Sequence, residues 1–214
     1  MSASLSHSFS DMNLEGSSTF SWIDFLKHVY RYAACAFLGW FFARKLGIQP
    51  ILLGRPASWR CKIRILVLFG FGLGGVIGVI YYGLFGAYRF SARVPGYLNE
   101  IEDHYDNFIL SLRAAVTEEL IFRFFLFTAF YYILKRLSQS LIDRDKYFIR
   151  HVPLFSAFLL SGVLFGFAHG TFGFTPALVA GTILGGIFWW AGFETAVVAH
   201  FTVDYICFSL IYVK

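Results

Sequence analysis

Apolar residues run along this chain in blocks long enough to cross a bilayer, broken by short polar stretches, and the pattern predicts membrane helices. The clearest block is about Ile63 to Tyr88, which carries no charge after Arg64 and exceeds the roughly 20 residues needed to span about 30 Å of hydrocarbon. Within it Gly74 and Gly78 have the spacing that lets a second helix approach closely. An earlier block, about His28 to Leu46, has Arg31 near its start and Arg44 and Lys45 at its end. It reads either as a span or as an amphipathic helix lying in the interface. Further blocks cover about Phe108 to Leu134, Val152 to His169, Ala177 to Trp190 and Glu194 to Val213. Between them, residues 89–107 read as an exposed loop, 135–150 as a polar connection and 170–176 as a turn rich in Gly and Pro. The fold class predicted is all-α, a polytopic membrane helix bundle with about six transmembrane helices. Residues 1–21 are Ser-rich without Lys or Arg; they predict a flexible polar tail, not the basic start of a signal peptide. Residues 22–214 then form a single transmembrane helical domain.

Composition agrees. Of the 214 residues, 57% are hydrophobic, 21% aromatic and only 14% charged, against roughly 25% charged in soluble domains. This excludes a soluble globule, and the mean hydropathy of +0.63 excludes a disordered chain. The net charge of +5 does not point to nucleic acid, because the basic residues fall between apolar blocks. Arg44, Lys45, Arg55, Arg60, Lys62 and Arg64 lie in one connection, and Lys135, Arg136, Arg144, Lys146 and Arg150 in another. The positive-inside bias predicts both connections on the cytoplasmic side and both termini outside. If the first block lies only in the interface, the N-terminus moves to the cytoplasm. Cys35, Cys61 and Cys207 show no CxxC spacing, which argues against a disulfide framework or a thiolate metal site.

Against that background, a few ionisable residues stand inside the blocks, where each costs about 2.5 to 3.5 kcal/mol on insertion scales and is retained when it pairs or works. Glu118-Glu119-Leu-Ile-Phe122-Arg123 puts Glu119 and Arg123 at i and i+4 on one helical face and turns Glu118 away from it. The next block ends with Phe165 one turn before His169, and the last carries His200 and Asp204 at i and i+4. A bundle that turned these faces inward would gather carboxylates and imidazoles in one low-dielectric pocket. Gly170 follows His169, so an ordinary interfacial histidine is the plain alternative there, and a satisfied buried hydrogen bond is the plain alternative for His200 and Asp204. The Trp189-Trp190 pair reads as part of an aromatic belt.

EExxFR, FxxxH and HxxxD, in that order on three successive apolar regions, resemble the CAAX protease and bacteriocin-processing family, whose members are glutamic-type intramembrane proteases. The resemblance covers about Ser111 to Tyr212 and places a protease-like core at about 108–213. It implies that Glu118 is the general base that activates water and that His169 positions the water and shuttles protons. It also implies that His200 and position 204 hold the oxyanion, while Glu119, Arg123 and Phe165 support the site. The family's third motif often ends in Asn. Asp204 donates a hydrogen bond only when protonated, and its alternative role is to orient His200.

The resemblance also implies an intramembrane peptide hydrolase without a cofactor. Its substrate would be a membrane-associated protein or peptide: a C-terminal sorting tag, a leader peptide or a CAAX-like end, the first two favoured over the third. The small size and the absence of targeting features point to a prokaryotic inner membrane. Zinc is an alternative on donor chemistry alone, although no HExxH occurs and the two histidines come from different helices. Two other function classes stay open: a small proton-coupled transporter, for which no inverted repeat is visible, and a non-catalytic scaffold or immunity protein. One geometric conflict accompanies these readings. Counting about 1.5 Å per residue puts His169 near the outer face and His200 nearer the inner one, so the spans are tilted and offset or the orientation is reversed.

Overall fold

The computed structural model describes residues 22–50, 52, 57–86, 104–141 and 146–211. The expected tail over 1–21 and most of the expected loop over 89–107 lie outside them. Six helices are present among the described residues. Helix α1 is Trp22–Leu46. Helix α2 is composite, α-helical over Trp59–Ile65 and Gly74–Tyr81 and π-helical over Leu66–Leu73 and Tyr82–Gly86. Helix α3 runs through His104–Glu119, a π-helical stretch Leu120–Phe127 and Thr128–Leu141; α4 is Lys146–Ala168, α5 Gly170–Ala191 and α6 Phe193–Ile211. π-helical turns are rare and often sit at functional sites. The one in α3 begins directly after Glu118 and Glu119.

Among the described residues, four stretches are long and apolar enough to cross a membrane: Trp59–Leu84, His151–Ala168, Gly173–Ala191 and Phe193–Leu210. Helix α3 carries Glu118, Glu119 and Arg123 in its middle, and α1 carries Lys27 and Arg31 in its first half. Large apolar side chains such as Leu68, Val79, Phe155 and Trp190 stand exposed around the perimeter, which is the surface a lipid solvent requires and water would not tolerate over so wide an area. The protein is an all-α membrane helix bundle.

Its core forms where the π-helical part of α3 meets α4 and α5. Phe127, fully buried, has the rings of Phe158, Phe188 and Trp189 at 4.7, 5.7 and 5.9 Å. Helix α2 packs on α6 through its small residues: a methyl group at Gly74 would lie 2.8 Å from the Ala199 carbonyl oxygen, and one at Gly78 3.3 Å from Val203 Cα. These are the packing contacts expected from the glycine spacing. Trp189 faces inward onto Phe127 and Tyr131, so of the expected aromatic-belt pair it is Trp190 that stands outside.

Three expected boundaries differ. Helix α3 begins at His104, so Asn107 is not in a loop but fully buried: its Nδ2 donates to the Tyr205 carbonyl at 3.0 Å and to Ser209 Oγ at 2.7 Å. Most of the expected 135–150 connection is helical, because α3 runs on to Leu141 and α4 starts at Lys146. The expected 170–176 turn shrinks to its first residues. Gly170 has φ +71°, a left-handed conformation that suits glycine, and α5 starts there; Pro176 is already inside that helix.

The conflict in depth is resolved by an offset. The turn between α5 and α6 is not level with the end of α3 but lies inside the bundle, where the Phe193 ring meets Phe124 at 5.3 Å. Phe124 is 17 residues, about 25 Å, before Leu141. The chain between α1 and α2 holds the turn there: the Phe193 N–H donates to the Pro50 carbonyl at 2.7 Å and the Leu52 N–H to Glu194 Oε2 at 2.8 Å. From that level α6 climbs seven residues to His200, about 10 Å, while α3 leads back six residues to Glu118, about 9 Å. The two side chains arrive at one height.

Candidate active site

Glu118, Glu119 and Arg123 come from α3, His169 from the end of α4, and His200 and Asp204 from α6; the structure brings all of them together. The cluster has two layers. Glu119, Arg123 and His200 form the inner one, with side chains at most 5% exposed, while Glu118, Asp204 and His169 are 19%, 21% and 29% exposed. The outer layer is open to the surface.

In the inner layer, Glu119 Oε1 lies 3.1 Å from Arg123 Nη1 and accepts a 2.8 Å hydrogen bond from His200 Nδ1. Glu119 is therefore not a partner of Arg123 alone, as the i, i+4 spacing suggested, but a bridge that orients the imidazole of α6. Arg123 also donates through Nη2 to the Gly181 carbonyl at 3.2 Å and lies over the Phe165 ring, 4.1 Å from its centroid. A buried guanidinium needs such partners because an unpaired buried charge costs several kcal/mol. Phe165, 2% exposed, meets Phe122, His169 and His200 with ring centroids at 5.1, 4.5 and 5.8 Å. It is the apolar wall shared by both histidines.

In the outer layer, Glu118 Oε2 lies 3.7 Å from His169 Nε2 and 3.7 Å from His200 Nε2, and it has no hydrogen-bond partner among the described residues. His169 Nδ1 lies 2.8 Å from the Phe165 carbonyl. A carbonyl oxygen can only accept, so this bond puts the proton on Nδ1 and leaves Nε2 of the neutral ring as an acceptor turned toward Glu118. His200 Nε2 lies 3.3 Å from Asp204 Oδ2. A hydrogen bond between those two atoms needs one proton, carried by either. Among the described residues, no group of three or more His, Cys, Asp and Glu side chains is placed to hold a metal ion.

Several supporting residues escaped the sequence reading. Methyl groups at Gly162, Gly166, Gly181 and Gly185 would approach Thr182, Phe174, Phe165 and Phe158 to between 2.9 and 3.1 Å, so these glycines let α4 and α5 close on each other. They fall in two pairs at the same spacing as Gly74 and Gly78, and that signal was available. Ser161 Oγ donates to the Phe122 carbonyl at 2.6 Å and ties α4 to α3 behind the site. Asn107, with Ser111 Oγ donating to its Oδ1 at 3.0 Å, ties the outer part of α3 to α6. A lone Ser or Asn gives no periodic signal.

Over residues 104–206 the chain matches the family model described as type II CAAX prenyl endopeptidase Rce1-like. Comparison with curated proteins and with solved structures gives no match. The matched region starts with the first residue of α3 and ends two residues after Asp204, so it holds the whole cluster and leaves out α1 and α2. The match takes in just under half of the chain, and together with three motifs that meet around one carboxylate it makes the chain similar to the CAAX protease and bacteriocin-processing family of intramembrane endopeptidases.

Proposed function

We propose that the protein hydrolyses a peptide bond in a membrane-associated protein or peptide by a glutamate-activated water, without a metal or other cofactor. The observation that carries this reading is the position of Glu118 Oε2, 3.7 Å from the Nε2 atoms of both His169 and His200. A water oxygen about 2.8 Å from Glu118 Oε2 and from His169 Nε2 closes a triangle on that 3.7 Å side, with an acceptor at each end. Glu118 takes the proton as the water attacks the scissile carbonyl, and His169 positions the water and relays the proton to the leaving amine. His200 and Asp204 face the place where the oxyanion develops and hydrogen-bond it with the proton between them. Glu119 and Arg123 keep His200 in position from behind.

The substrate is a C-terminal sorting tag, a leader peptide or a CAAX-like end, the first two favoured over the third, and the setting is a prokaryotic inner membrane crossed several times. The basic 44–64 and 135–150 connections face the cytoplasm. The test is expression of the wild type and Glu118→Ala in membranes with a tagged candidate substrate, followed by mass spectrometry. Cleavage is expected to fall by about 10² to 10⁴, the contribution of a positioned acid or base; unchanged cleavage sinks the glutamate mechanism. Loss of cleavage on chelation, together with stoichiometric zinc in the purified protein, would replace it with a metal mechanism. Proton-coupled uptake into vesicles without proteolysis of any candidate would favour a transporter.

A further inference from the structure

Far from the carboxylate cluster, the end of α1 and the last part of α3 enclose a cavity of about 200 Å³ lined by Lys45, Leu46, Tyr132, Lys135, Arg136 and Gln139. Tyr132 and Lys135 are 14 and 17 residues beyond Glu118 on α3, about 20 to 25 Å away, so a ligand here is remote from the reacting bond. The lining holds three cations and no acid. Each cation rests near an aromatic ring of its own helix: Lys45 Nζ is 5.6 Å from Phe41, Lys135 Nζ 5.7 Å from Tyr131 and the Arg136 guanidinium 5.5 Å from Tyr132. Among the described residues, none of the three forms an ion pair with a carboxylate.

One of these charges has a local explanation. Lys45 stands in the last turn of α1, where the helix dipole presents negative partial charge. Lys135 and Arg136 do not, because α3 continues to Leu141. Two helices thus direct positive charge into one concavity that also offers the Tyr132 hydroxyl and the Gln139 amide as donors. Like charges held together repel, and an anion with several acceptor oxygens relieves that repulsion. Both helices also carry exposed apolar side chains at this level, Phe41 one turn before Lys45 on α1 and Ile133 and Leu137 on the flank of α3, a surface on which hydrocarbon chains can lie.

We propose that this cavity binds phosphate, and that its ligand is the phosphodiester headgroup of an anionic phospholipid whose acyl chains lie along the exposed apolar surface of α1 and α3. Basic pockets between membrane helices hold such headgroups by the same chemistry. The test is native mass spectrometry of the full chain released from micelles doped with equal amounts of phosphatidylglycerol and phosphatidylcholine. The wild type is expected to keep phosphatidylglycerol and lose phosphatidylcholine, a comparison that needs no variant. In Lys45→Gln/Lys135→Gln/Arg136→Gln, retention is expected to weaken roughly 100-fold, the fold-change for removing three surface cations. Arg60→Gln/Arg64→Gln, which removes charge from α2 outside the cavity, is expected to leave it unchanged.

Competing millimolar inorganic phosphate separates the two sources of the anion: a surviving lipid adduct supports the headgroup, whereas displacement by phosphate at low concentration assigns the cavity to a soluble phosphate and overturns the lipid. Equal retention of the two lipids by the wild type, equal retention by wild type and triple variant, or equal loss in the α2 control would overturn the site itself.

Discussion

Replacing Arg123 by methionine removes one partner of a charge pair that is almost completely enclosed, and the size of the effect follows from what remains. Arg123 is 1% exposed and Glu119 0%. Without the guanidinium, Glu119 keeps the His200 hydrogen bond on Oε1, while its Oε2 has no partner among the described residues even in the native chain. The Gly181 carbonyl loses its donor and the Phe165 face its cation. Removing one side of a buried ion pair costs about 3 to 5 kcal/mol, mostly because the other charge stays buried alone. Glu119→Gln strands the opposite charge and is expected to cost a similar amount. The double variant Glu119→Gln/Arg123→Met leaves neither charge, and its amide oxygen still accepts from His200 Nδ1. It is expected to be more stable than the sum of the single effects by at least about 2 kcal/mol. The assay is reversible unfolding in mixed micelles for all four proteins of the cycle. Additivity within about 0.5 kcal/mol, as for independent sites, would refute the view that these residues form one charge unit.

Two other substitutions test the layers separately. Gly181→Ala places a methyl group 2.9 Å from Phe165 Cδ1 and 3.3 Å from Arg123 Nη2; overpacking of about 1 to 3 kcal/mol and a drop in cleavage are expected together, read by thermal unfolding and the tagged-substrate assay, and an inert substitution would show that the α4–α5 contact does not position the inner layer. Asp204→Asn keeps a donor facing the oxyanion and is expected to retain cleavage within about tenfold, whereas Asp204→Ala loses about 10² to 10³, the worth of one oxyanion donor. Equal activities of the two variants would remove Asp204 from the mechanism.

Much of this site was legible because charge is scarce in the apolar blocks. Glu118, Glu119, Arg123, His200 and Asp204 each interrupt a run where interruption is costly, and helical periodicity alone joins Glu119 to Arg123 and His200 to Asp204. Periodicity does not reach between helices. The hydrogen bond from His200 to Glu119 spans 81 residues and depends on the level at which α6 begins, which residue counting from straight, aligned spans placed too far from His169. Asn107 was read as loop because it is polar and follows acids; its partners on α6 lie about 100 residues away. The Gly170 to Pro176 stretch has the composition of a turn, but the chain needs only one left-handed residue there to reverse into α5.

The contacts of Pro50 and Leu52 with the α5–α6 turn reach across the boundary of the family-matching region. Those two residues belong to the part of the chain that the match leaves out, yet they act as a shim beneath α6 and so fix the height at which His200 meets Glu118. The family-matching half of the molecule is therefore not self-contained. Its alignment is borrowed from Pro50 and Leu52, which grip the α5–α6 turn from outside the cluster, so the spacing of the cluster depends on residues that contribute no ionisable group to it.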